Sequence, residues 1–383
     1  EKDPKGERWQ QVQQDVPAGK RIYSGLDLMR LFCMLLIVIL HVLGHGGVLA
    51  STTTDAGYRA AWLLEAFAYV AVDCFALMSG FLGYHDKPRP LHISSFISLW
   101  LEVVFYGVLA VGLCWLFDRP DLTRISAISA LLPVTSYEYW FFTAYAVMFF
   151  LSPAINHLVR SGSERLVKAG VLGCVAGLSL LGTLGMYDPF RLAEGYSAIW
   201  LCTCYYLGAS IKRLNTADKV RSSWCAAAIA VLTLVTWAWY LVADQSLTDW
   251  FGRVWGADVL MSYRSPTVLL ASCAWLLLMV RLEVPPRLAR VLRFFAPAAF
   301  GVYLIHDNPL VRGMLMSDAF AWIGGLPAPL LVLAVLGCAC AVFAVCLVAD
   351  RLRVALFSAI RIPRLADACE RGVRRVLGLE PRR

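Results

Sequence analysis

Runs of about twenty mostly apolar residues recur along the chain, and runs of that length leave few folds open. A helix rises about 1.5 Å per residue, so about 20 apolar residues cross the hydrocarbon core of a bilayer. Ten candidate spans lie near 26–49, 60–84, 96–117, 138–158, 168–186, 196–211, 224–243, 266–282, 298–316 and 328–349. The sixth and eighth are short, and Pro309 interrupts the ninth. Charged residues make up only 16% of the chain, against roughly a quarter in soluble domains. An ordinary soluble enzyme is excluded. The expected fold is an all-α integral membrane protein, a bundle of about ten transmembrane helices.

The basic residues give the expected orientation. With residues 1–22 inside, 27 of the 35 lysines and arginines fall in inner segments and seven in outer ones, with Arg30 in the first span. Such a bias favours an even number of spans and two cytoplasmic termini. Residues 1–22 are polar and mixed in charge, unlike a cleaved signal, and are read as a cytoplasmic tail. Residues 23–350 form the membrane domain. Residues 351–383 set arginines among Val354, Leu356, Phe357, Ile360, Ile362 and Leu365, the pattern of an interfacial amphipathic helix held by anionic lipid. The net charge of +8 is thus assigned to topology and membrane lipids, not to nucleic acid. Most of the 12 cysteines sit inside apolar stretches, where cysteine acts as a small hydrophobe. They suggest neither a disulfide scaffold nor a zinc site.

Polar residues inside spans are the functional candidates, because each costs several kcal/mol in lipid. The first span holds Asp27, Arg30, His41 and His45. Eleven residues are close to three full helical turns, so Arg30 and His41 share a face about 16 Å apart along the axis, and His45 extends the stripe. Asp27 and Arg30 can form a local pair at the interface, but His41 needs a partner or a wet cavity. The second span adds Glu65, Asp73 and Ser79-Gly80, the last equally suited to close helix packing. Glu102 lies in the third span and Tyr145 in the fourth. In the ninth, His306-Asp307-Asn308 precedes Pro309, a break whose freed backbone groups call for a cavity or tight packing. Outer loops 118–137 and 244–265 are rich in Trp, Tyr, Asp and Ser, which suits a polar ligand and equally the anchoring of an ordinary membrane interface. No GxGxxG, P-loop, GxSxG or HExxH motif competes, and the histidines show no metal-ligand spacing.

A membrane-embedded histidine can take the proton of a hydroxyl, and an arginine can hold a phosphate or an oxyanion. That chemistry fits a transferase with its donor inside and its acceptor outside. The same stripe also fits a transporter with His41 as a proton relay, and the pattern leaves both open.

Motifs favour the transferase. Arg30 and His41, separated by ten residues, resemble the Arg-x10-His signature of the acyltransferase 3 family of membrane acyltransferases. Ser79-Gly80-Phe81 is similar to its second-span motif, Trp140-Phe141-Phe142 through Ser152-Pro153 to its fourth-span pattern, and Gly301-Val302-Tyr303-Leu304-Ile305-His306 to its late Gly-x-Tyr-x-x-His pattern. The likeness runs in order over residues 23–350 and is nearest to stand-alone bacterial enzymes that O-acetylate surface polysaccharides and their lipid-linked precursors. It implies acetyl-CoA or another acyl-CoA as cytoplasmic donor, a carbohydrate acceptor, no metal, and a multi-pass protein of the bacterial inner membrane. It implies His41 as catalytic base, Arg30 at the donor, and Ser79, Gly80 and His306 lining the cavity. Asp27 is added as partner of Arg30; His45, Glu65, Asp73, Glu102 and Tyr145 complete the expected substrate-binding set. The Arg-x-x-Arg motif of many relatives is absent: the loop after the second span carries Lys87 and Arg89 at another spacing. Donor contacts are therefore expected also from Lys212, Arg213 and the arginines of 287–293.

Overall fold

A computed structural model of the chain describes residues 23–117, 124–185, 188–246 and 256–376, and within them it is all-helical, without strands. The tail 1–22 and parts of both long loops lie outside the described residues. The main helices are α1 (Ser24–Leu43), α2 (Asp55–Ala68), α3 (Ala71–Gly83), α4 (Ile93–Leu116), α5 (Trp140–Ser161), α6 (Glu164–Leu172), α7 (Ala198–Arg213), α8 (Ser222–Ser246), α9 (Pro266–Arg281), α10 (Pro286–Phe295), α11 (Ala299–His306), α12 (Ala328–Ala359) and α13 (Ile362–Val376). Serines begin several of them: the hydroxyls of Ser163, Ser197 and Ser265 accept from backbone N–H groups of the first turns of α6, α7 and α9, and Pro266 sits where a missing N–H costs nothing.

Among the described residues, eight helical stretches are long and apolar enough to cross a membrane. They correspond to all the expected spans except the sixth and eighth. Those two are α7 and α9, 16 residues each, which rise only about 24 Å. Both are nonetheless built into the bundle: α7 packs on α3 and α5, and α9 on α8, α3 and α1. α1 is the centre of the bundle. It packs against α2, α3, α9, α10, α11 and α12, and its apolar side chains from Leu26 to Leu43 are mostly buried.

Four boundaries differ from the sequence reading. α1 stops at Leu43, and Gly44–Gly47 form a turn closed by Gly47 at φ +82°; His45 therefore stands on that turn, not on the helical stripe. The second span is broken at Tyr69-Val70 into α2 and α3. The ninth span runs through Pro286–His306 instead of 298–316. It ends early because Asn308 caps the helix that Pro309 begins, accepting from the N–H groups of Leu310 and Val311. Arg287, Arg290 and Arg293 thus belong to helix α10, whose other face packs on α1. α12 extends to Ala359, ten residues past the expected end. α6 continues as a π-helical stretch, Gly173–Leu181, which no periodicity signals.

Candidate active site

The site gathers around the C-terminal end of α1 and the break after α11. Tyr139 donates from its hydroxyl to Leu304 O (2.9 Å), and Asn308 Nδ2 donates to that same hydroxyl (2.8 Å), which fixes the break. Across it, His41 Nδ1 lies 2.9 Å from His306 Nε2. His306 Nδ1 lies 2.5 Å from Val302 O. A carbonyl only accepts, so His306 carries its proton on Nδ1 and offers a lone pair at Nε2. His41 must then donate from Nδ1, which leaves His41 Nε2 as the unprotonated nitrogen. His41 is thereby held in the tautomer a base requires.

Asp307 adds charge at the same point. Its Oδ1 lies 3.0 Å from Arg312 Nη1, 3.7 Å from His41 Nδ1 and 3.9 Å from His45 Nε2. The turn carrying His45 is anchored by Asp318 N donating to His45 O and Phe320 N donating to Gly46 O, each at 3.0 Å. On that turn, outside the spans, desolvation holds the His45 imidazole below its ordinary range, against the pull of Asp307. His41, His45 and Asp307 each bring one ligand-type atom within 4.8 Å of the others, a grouping the sequence reading, which expected no metal, did not foresee. Two of those atoms already have nearer partners in His306 and Arg312.

Three cavities lie in series along α1. At its C-terminal end a cavity of about 310 Å³ is lined by His41, His45, Glu65, Asp307 and Arg312, with Tyr69, Trp140, Tyr196 and Tyr263 as an aromatic wall. In the middle a narrow apolar space of about 40 Å³ is lined by Met34, Ile37, His41, Val72, Phe75 and Phe141, among others. At the N-terminal end a cavity of about 390 Å³ is lined by Arg30, Ser79, His85, Arg89, His92, Tyr145 and Asn156. His41 lines both the first and the second. Arg30 pairs with Asp27 at 3.6 Å. His85, in the loop after α3, is held below the ordinary histidine range by desolvation and then by Lys212 and Arg89.

The expected residues thus fall into separate groups. His41, His45, Glu65 and His306 meet at one end, and Arg30, Asp27, Ser79 and Tyr145 at the other. Gly80 lines neither cavity: a Cβ there would meet Tyr205 O at 1.9 Å, and Gly208 faces Leu77 O in the same way, so the pair lets α3 and α7 touch. Asp73 is fully buried and accepts from Trp200 Nε1 at 2.8 Å. Glu102 stands in another buried cluster, 3.0 Å from Arg353, which also binds Asp350, while Tyr106 donates to Asp350 at 2.8 Å. Among the later arginines and lysines offered for the donor, Lys212 Nζ donates to Tyr84 O at 2.8 Å and so holds the loop after α3. Asp307 and Arg312 were absent from the expected set; their only signal was a polar pair flanking a proline break.

No curated protein and no solved structure matches the chain. A family model described as an acyltransferase domain matches residues 23–351, nearly the whole described length and the same stretch that carries the four motifs. The chain belongs to the acyltransferase 3 family and is a membrane acyltransferase.

Proposed function

We propose that this protein moves an acetyl group from cytoplasmic acetyl-CoA to a hydroxyl of a cell-surface or lipid-linked glycan, as a multi-pass enzyme of the bacterial inner membrane. The observation that carries the reading is the tautomer of His41, whose Nδ1 is engaged by His306, on a residue that lines both the narrow apolar space and the polar cavity. The Arg30 end takes the donor. Arg30 and Arg89 offer cations to its phosphates, and the run of about 16 Å from Arg30 to His41 is the length its thin acyl-bearing arm must cover. The apolar passage suits that arm. Its volume of about 40 Å³, small beside the 310 and 390 Å³ of the cavities on either side, favours acetyl over longer chains.

At the other end His41 Nε2 takes the proton of an acceptor hydroxyl as its oxygen attacks the thioester carbonyl. The tetrahedral intermediate collapses with loss of the thiolate, and His41 returns the proton to that sulfur. The ester and free thiol balance the reaction. His306 holds the tautomer throughout, and Asp307 steadies the imidazolium as it forms. Helix α13, which follows α12, lies on the cytoplasmic leaflet, and 1–22 remains on that side.

The test is transfer of label from radiolabelled acetyl-CoA to glycan, wild type against His41→Ala. The variant should transfer nothing while still binding acetyl-CoA. Transfer retained by His41→Ala would falsify the mechanism.

A further inference from the structure

Glu65 stands apart from the histidine network that shares its cavity. It is 9% exposed, and its Oε2 has no hydrogen-bond partner among the described residues. Leaving a buried carboxylate oxygen unpaired is costly, and native structures leave few such groups without a reason. Glu65 lines the same polar cavity as Tyr69, Tyr196 and Tyr263 and as His41. The rings form one continuous surface: Tyr69 and Tyr263 have centroids 4.8 Å apart, Tyr196 and Tyr263 4.9 Å, and Trp140 and Tyr196 4.6 Å.

This surface is braced from behind. Arg264 Nη1 pairs with Asp188 Oδ1 at 2.8 Å, and Asp188 accepts from the N–H groups of Leu192 and Ala193. Ser262 Oγ donates to Glu194 O at 3.0 Å. Gly195, at φ +100°, sits where a Cβ would meet Tyr263 Cβ at 2.4 Å. The loops that carry Tyr196 and Tyr263 are therefore locked to each other, and the aromatic wall is a preformed surface.

We infer that Glu65 and this aromatic wall form a subsite for one sugar ring of the acceptor. The C–H face of the ring lies on Tyr69, Tyr196, Tyr263 and Trp140, and a ring hydroxyl donates to Glu65 Oε2. A volume of about 310 Å³ is at the small end of ligand cavities and holds a single ring, not an oligosaccharide. Two anchors fix the ring, so that a different hydroxyl, not the one held by Glu65, is presented to His41. Glu65 is thus a specificity residue that sets which hydroxyl is acetylated, and it takes no part in the proton transfer. A site built to receive a hydroxyl rejects ligands that lack it far more strongly than an apolar pocket rejects an extra methylene.

The inference rests on the acetyl-transfer reading, and the experiment separates the two. Native membranes of the producing organism, which hold the natural acceptor, receive radiolabelled acetyl-CoA together with wild type, Glu65→Ala or Glu65→Gln. Glycan label is measured beside the affinity for acetyl-CoA by equilibrium dialysis. Glu65→Ala should lower glycan label by about a hundredfold or more with acetyl-CoA affinity unchanged. Glu65→Gln keeps an acceptor oxygen and should retain at least about a tenth of the label. Glu65→Ala that labels glycan like wild type overturns the subsite. So does Glu65→Gln as inactive as Glu65→Ala, since charge and not a hydroxyl acceptor would then be what the ligand needs. Wild type that labels no glycan is a different result, and it removes the acetyl-transfer reading itself.

Discussion

A neutral histidine is a base only through the nitrogen without a proton, and the partner of its other nitrogen decides which one that is. Here the choice is relayed: Val302 O fixes His306, and His306 fixes His41. His306→Ala removes the acceptor and leaves Asp307 Oδ1, at 3.7 Å, to orient the ring. We expect kcat to fall about a hundredfold with acetyl-CoA affinity unchanged. His306→Gln, whose amide oxygen can accept from His41 Nδ1, should recover part of it. Steady-state kinetics on the purified variants decides, and a wild-type kcat in His306→Ala would show that the relay is idle. The sequence pointed to both histidines, each as a polar residue in an apolar span. Their pairing was not legible, because periodicity relates residues of one helix and these lie 265 positions apart. The same limit applies to Glu102, whose partner Arg353 arrives from α12: a polar residue in a span marks a need for a partner without saying whether that partner is a substrate or another side chain.

At the scale of elements, α4 begins beside the cavity at the Arg30 end and has no cap of its own, since the His92 side chain makes none. The cap comes from α13. Glu370 Oε2 accepts from Ser94 N at 2.9 Å, and Glu370 Oε1 holds Arg374, which donates to Leu91 O at 2.7 Å. Leu91 and Ser95 both line that cavity. A carboxylate at a helix N-terminus is favoured by its N–H groups and dipole. Burial opposes ionisation of Glu370, but Ser94 and Arg374 outweigh it and bring the carboxyl down to about 2. A lowered value means that the clasp contributes fully above the ordinary 4.5 and is lost as pH falls from there toward 2. Glu370→Ala should therefore raise the KM for acetyl-CoA about tenfold at pH 7 with kcat unchanged, whereas in wild type this group should give no change in KM between pH 8 and about 5. Unaltered KM in Glu370→Ala would reduce α13 to a surface helix. The arginines and apolar residues from 351 on were read as one interfacial segment, but those up to Ala359 belong to α12 and only the later ones to α13; the length of most spans was legible. The break at Tyr69-Val70 was not, because hydropathy averages over a run, whereas the break after His306 was marked by Pro309 and only its consequence, a span running through 286–306, was missed. The role of Gly80 was half legible: close packing and ligand contact read alike in sequence, and what settles it as packing is that a Cβ there would come within 1.9 Å of Tyr205 O.

Across the whole molecule, two polar cavities lie toward opposite ends of α1, with the small apolar space beside His41 between them. A donor and an acceptor that never share a compartment can react in such a protein if the reactive group alone passes the constriction. The bundle then stays sealed to both substrates, and the constriction selects what is transferred. Phe75 lines it from α3 and packs edge-on to Phe141, with ring centroids 6.3 Å apart. Phe75→Ala opens the passage without touching Arg30, His41 or the aromatic wall. One methylene in an apolar pocket is worth about 10- to 200-fold in discrimination. A butyryl chain exceeds acetyl by two, so relief of even part of that exclusion is measurable. The ratio of kcat/KM for butyryl-CoA to that for acetyl-CoA should rise at least about tenfold in Phe75→Ala, mainly through butyryl-CoA. A ratio equal to wild type would mean that the acyl group reaches His41 by another route. The donor would then have to enter where the acceptor does, which would place both substrates at the same end of the bundle.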